Sequence, residues 1–121
     1  MSRPRIRTLK PDVWQDERVG RLGRDERLLF VGLITFADDE GRFRALPAAI
    51  LGHVYPYDHD ITPRKVTAWL EALDASGLIV LYDHDGTSYG CLPKWSSHQR
   101  VNRGTPSTLP EPSLNGKAHA Q

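Results

Sequence analysis

Residues 62–92 read TPRKVTAWLEALDASGLIVLYDHDGTSYGCL, and the punctuation of this stretch decides the fold. Thr62 is a residue type that caps a helix, and Pro63 suits the first helical position. Val66, Trp69, Leu70 and Leu73 then recur at helical spacing. Gly77 supplies the stop, so a helix is predicted over Thr62–Ser76. Leu78–Tyr82 follows at once as an apolar run of strand formers. Asp85-Gly86 is a strong signal for a hairpin turn, and Ser88–Leu92 is the returning strand.

Upstream, Arg24–Ala37 is the clearest helix. Leu28, Leu29, Val31, Leu33, Ile34, Phe36 and Ala37 make most of its surface apolar, so it is expected to run through the core. Gly32 within it costs helix propensity and is expected where two helices approach closely. One helical turn is read near Asp12 and another over Glu17–Leu22. Leu46–Val54 reads as a short helix with Pro47 near its start, and Arg42-Phe43-Arg44 as a short extended piece before it. A helix feeding a hairpin, with shorter helices before it, outlines an α+β winged helix-turn-helix. It would have three main helices and a C-terminal β-hairpin wing. The domain is placed at residues 11–95, after a basic N-terminal arm at 1–10. A basic, Pro-rich tail at 96–121 follows, and disorder is expected from about Gly104 because so polar a segment buries too little surface to offset its ordering entropy.

The 39% hydrophobic and 26% charged content is that of one globular domain able to build a core without staples. The single cysteine, Cys91, excludes an internal disulfide and fits a reducing cytoplasm. No apolar run is long enough to span a membrane, and the N-terminus lacks the apolar stretch of a signal peptide. The net charge of +1 hides a segregation. Residues 1–10 carry +4, residues 94–121 carry +3, and the body between them carries −6. Attraction to phosphate is therefore expected at the arms.

On the predicted last helix, Arg64, Lys65 and Thr67 lie off the apolar stripe in the first turns, at the positive end of the helix dipole. They are the expected groove contacts, and the small Ala68 and Ala72 would allow close approach to base edges. The alternative for this face is a solvated surface without a partner. The wing, Tyr82-Asp83-His84-Asp85-Gly86-Thr87-Ser88, is acidic, which reads as turn chemistry or a protein contact. In the arm, Arg3, Arg5, Arg7 and Lys10 suit the minor groove or phosphates. Lys94, Arg100, Asn102 and Arg103 form a second set of expected DNA contacts. Trp95 among them is expected to cover the edge of the core.

No catalytic residues, cofactor or metal ligands are expected. Tyr-Asp-His-Asp occurs at 57–60 and again at 82–85, but the spacing matches loop chemistry better than metal ligation. Cys91 reads as a small packing residue, and no glycine-rich phosphate loop is present.

Several stretches together resemble a family. They are Ile6-Arg7-Thr8-Leu9-Lys10-Pro11 before Trp14; Leu28-Leu29-Phe30 with Ala37-Asp38-Asp39-Glu40-Gly41; Leu70-Glu71-Ala72-Leu73 leading into Gly77-Leu78-Ile79; Tyr82 with Asp85-Gly86 and Tyr89; and Pro93-Lys94-Trp95 followed by His98-Gln99-Arg100-Val101-Asn102-Arg103. From about Ile6 to Pro110 the chain resembles the winged-helix N-terminal domain of phage and prophage replication initiators, the replisome organisers and DnaD-like helicase loaders. Trp-x-x-His-Gln is the most distinctive piece. The resemblance implies double-stranded DNA binding at a replication origin in the cytoplasm of a bacterial host cell. It also implies self-association and a helicase or helicase loader as partner. Such initiators continue into a second domain, whereas this sequence ends at Gln121. DNA binding is therefore the part expected to carry over, whether the chain is a standalone or a truncated relative. A transcriptional regulator and a winged-helix protein-interaction or dimerisation module are the alternatives of the same fold.

Overall fold

The computed structural model describes residues 5–112. A 3-10 turn at Pro11–Gln15 leads into α1 (Glu17–Gly20), α2 (Arg24–Phe36), β1 (Arg42–Arg44), α3 (Pro47–Val54), α4 (Pro63–Ala75), β2 (Val80–His84), β3 (Thr87–Cys91) and α5 (Trp95–His98). The three strands form one antiparallel sheet in the order β1-β3-β2. The class is α+β, and the element order is compatible with a winged helix-turn-helix.

α2 is the central element. Glu26 accepts from the Gly23 N–H and closes its first turn. Leu29, Phe30, Leu33 and Ile34 are all buried, on the face that α3 and α4 cover. Gly32 lies where α3 crosses, and a Cβ there would come within 2.5 Å of Val54 Cγ2. α4 contributes Val66, Leu70 and Leu73, and Trp69 flanks them edge-on to the buried Tyr55. The Tyr55 hydroxyl donates to the Asp25 carbonyl, tying the loop after α3 to the start of α2.

The end of α4 corrects one expected boundary. Gly77, at φ +83°, is the left-handed residue after the C-cap. Its N–H donates to Asp74 O, and the Leu78 N–H reaches back to Leu73 O. This is the Schellman arrangement. Leu78 and Ile79 are thus bound into the helix terminus and buried, and β2 begins only at Val80.

The register sets two unlike faces on the sheet. Phe43, Gly90 and Leu81 are aligned and turn toward the core. Arg42, Arg44, Tyr89, Cys91 and Tyr82 occupy the opposite face. On that outer face Tyr82 and Tyr89 stack, with ring centroids 5.8 Å apart.

Replacing Gly32 with Ala removes a helix-weakening residue yet forces a methyl into Val54. Overpacking should win, with a net loss of about 1–2 kcal/mol in urea unfolding. In the double variant Gly32→Ala/Val54→Ala the two losses should be less than additive. Strict additivity would show that the helix crossing is not the cause.

Candidate functional site

Thr62 accepts from the Lys65 N–H and caps α4, as its position after an extended loop dictates. Arg64, Lys65, Thr67, Ala68 and Glu71 are exposed along the helix. Among the described residues Arg64 makes no hydrogen bond or ion pair. Lys65 Nζ donates to Asp60 O at 2.9 Å, and Thr67 Oγ1 bonds back to Pro63 O at 3.0 Å. The first turn therefore offers one unengaged guanidinium and one ammonium held against its own loop. Further along, a crevice of about 270 Å³ separates α4 from the hairpin, and its lining includes Glu71, Asp74 and Asp83. Asp74 also accepts from the Leu81 N–H, fixing helix to strand. At the hairpin tip Asp85 and Gly86 both have positive φ (51° and 78°), the geometry of a type I′ turn.

The amino-terminal cations are placed differently from expectation. Arg3 lies outside the described residues. Arg7, only 6% exposed in its side chain, bonds Asp39 Oδ1 at 2.8 Å and Ala37 O at 3.2 Å, with its guanidinium over the Trp95 ring. Arg5 reaches Asp39 Oδ2 and the carbonyls of Asn102 and Arg103. Lys10 Nζ donates to Ser97 O. Residues 5–10 are therefore not a free arm: Arg7 is spent inside the protein, and Arg5 and Lys10 brace the C-terminal segment. An acidic turn next to a cation-rich strand-like segment makes the intramolecular pair the nearer partner.

α5 is an element that composition did not reveal. Lys94, in a left-handed conformation at φ 57°, starts it. Trp95 is buried against the core, as expected of it, and its Nε1 donates to Asp39 O. Gln99, also buried, accepts from the Thr8 N–H and donates to the Thr8 carbonyl, both at 2.8 Å. The Trp-x-x-His-Gln piece thus clamps the amino-terminal segment to the body. The side chains of Lys94, Arg100, Asn102 and Arg103 are exposed and make no bond among the described residues.

These cations are not gathered into one patch with those of α4. A cleft of about 300 Å³ is lined by Lys10, Lys94, Trp95 and Gln99 together with Gly77 and Leu78. The terminal segments therefore sit by the far end of α4 from Arg64. Thirteen residues of helix separate the two ends, roughly 20 Å, and Glu71 and Asp74 lie between. Arg18 belongs to the same end: it donates to Gly77 O and pairs with Asp16, pulling that carboxyl down to about 2.

Residues 104–112, expected without order, lie across the outer face of the sheet. The Thr105 N–H donates to Asp39 Oδ2, and Ser107 bonds Glu40 and Asp38. Arg42 donates to Leu109 O, and the Tyr82 hydroxyl to Pro110 O. Burial here pushes the Tyr82 phenol up to about 12. The signal for a cover was in the strand alternation, which puts two tyrosines opposite the core, where a bare sheet would be polar. Among the described residues no group of three or more His, Cys, Asp or Glu side chains is placed to hold a metal ion. No helix there is long and apolar enough to cross a membrane.

Comparison with protein-family models, curated proteins and solved structures finds no match to this chain.

Asp39 is held below the usual carboxylate range, first by the Thr105 N–H and then by Arg7. Its contribution is therefore complete above the unfolded value near 4 and fades as pH falls through the lower folded value. Asp39→Ala at neutral pH should cost about 3 kcal/mol, since it leaves the Arg7 charge buried and unpaired. It should also flatten the acid limb of the stability curve. A wild-type acid limb in this variant would remove Asp39 from that role.

Proposed function

We propose that this chain is a winged-helix domain that binds double-stranded DNA, with α4 as the reading helix. The observation that carries the reading is the exposed first turn of α4, capped by Thr62, where Arg64 stands unengaged beside Lys65 at the positive end of the helix dipole. α3 packs against α4 across the eight-residue 55–62 loop, the pairing expected before a reading helix. Thr67 and Ala68 continue the same face. Lys94, Arg100, Asn102 and Arg103, whose exposed side chains make no bond among the described residues, supply a second, separate set of phosphate contacts. Arg5, Arg7 and Lys10 hold the scaffold that presents them. The biological setting rests on the resemblance to phage and prophage replication initiators, with an origin as the site and a helicase or its loader as a further partner. A promoter-bound regulator would use the same surface.

The acidic crevice between α4 and the hairpin favours a second reading, a protein-interaction or dimerisation module. Glu71, Asp74 and Asp83 there would repel a phosphate backbone and suit a basic partner.

Duplex binding measured across a salt series separates the two. On the DNA reading log K falls with log salt by about 0.9 for each phosphate neutralised. Arg64→Ala/Lys65→Ala should weaken binding and shallow that slope by roughly 2. A slope near zero overturns the DNA reading. Unchanged affinity in the double variant with altered self-association would favour the interaction module.

A further inference from the structure

We propose that the outer face of the sheet and the 38–40 turn form a binding site for an extended, proline-bearing acidic peptide of a partner protein. In the free chain this site is occupied by the chain's own residues 105–112.

The cis segment shows what the site recognises. Carboxylates at one end take peptide donors: Asp39 the Thr105 N–H at 2.9 Å, Glu40 the Ser107 N–H, and Asp38 the Ser107 hydroxyl. Donors at the other end take peptide acceptors: Arg42 the Leu109 carbonyl at 3.1 Å and Tyr82 the Pro110 carbonyl at 2.7 Å. Arg42 also pairs with Glu111 at 3.4 Å. Among the described residues no backbone–backbone hydrogen bond joins the sheet to this segment; side chains bond its main chain, over a stacked tyrosine pair. Pro106, Pro110 and Pro112 fix three backbone angles and bias Thr105, Leu109 and Glu111 toward extended conformations. Such a peptide arrives with little entropy left to lose, as in aromatic-lined proline recognition.

The chain's own segment leaves the site partly unsatisfied. Arg44 lies on the same face two residues beyond Arg42, is exposed, and has no partner among the described residues. Glu111 itself is 82% exposed in its side chain. A partner peptide with a second acid after the proline engages both arginines, and the cis segment engages one. Charge complementarity therefore favours the partner once it is present.

Cys91, the sole cysteine, lies on this face opposite Arg42 and is partly exposed, so its labelling rate reports opening. The test uses the full chain carrying Ser107→Ala and Glu111→Gln, with two probes: a synthetic peptide of sequence 105–112 and the same peptide extended by two glutamates. Loss of these bonds should speed thiol labelling about tenfold. Both peptides should restore protection, the extended one at lower concentration, and Arg44→Ala should abolish that difference. Tyr82→Phe, which deletes one bond and keeps the ring, gives a milder opening read in the same way. An unchanged labelling rate in both variants overturns the proposal, as does equal protection by a scrambled peptide. Protection without peptide, accompanied by a dimeric mass in light scattering, would make a second copy the occupant and overturn the partner assignment.

Discussion

Asp39 is the residue on which three separate stretches of chain converge, two of them at its carboxylate. Arg5 and Arg7 reach it from the amino-terminal segment, and the Thr105 N–H from the tail. Its own carbonyl takes the Trp95 indole N–H. A carboxylate has about four acceptor positions, and this one is almost enclosed, so its neighbours satisfy it where water does not. Without it, Arg7 would be a buried cation facing only the Ala37 carbonyl and the Trp95 ring, and the start of the 105–112 segment would lose its first anchor. The turn that carries Asp39 is therefore the structural counterpart of the acidic body noted in the charge distribution.

That convergence changes what the charge pattern means. Two basic ends around an acidic middle read naturally as arms held out to an external polyanion. In the folded chain part of that attraction is satisfied internally. Arg5 and Arg7 meet Asp39, and Arg42 meets Glu40 and Glu111. Among the described residues, the expected DNA contacts left for a partner are fewer and lie in two groups at opposite ends of α4. Any duplex bound by this surface meets a divided field, with Glu71, Asp74 and Asp83 between the groups.

Much of the fold was legible because local chemistry and tertiary demand agree. Thr62 caps, Gly77 stops, Asp85-Gly86 turns, and the α2 pattern is that of a buried helix. The β2 boundary was misread because Leu78 and Ile79 are apolar enough for a strand, while the Schellman bonds that Gly77 permits hold the residues after it through backbone groups alone. α5 is one turn long, too short for periodicity to register. The placement of residues 104–112 was missed because it comes from hydrogen bonds to residues 28 to 69 positions away, and polar composition reports only the apolar area a segment could bury. Of the candidate site, the exposure of Arg64 and Thr67 was readable from helical phase. The engagement of Arg7 was not, because charge alone does not say whether the nearest acid is in the same chain.

The Thr8–Gln99 pair, ninety-one positions apart, bears on how the protein is made. Residues 5–10 leave the ribosome well before their partners at 97, 99, 102 and 103. The helical core can assemble while these residues wait, since α2, α3 and α4 contact one another without them. A segment made before the core is thus placed after it. A nascent chain that has emerged only as far as β3 would display the helical core while Thr8 and Lys10 still lack their partners.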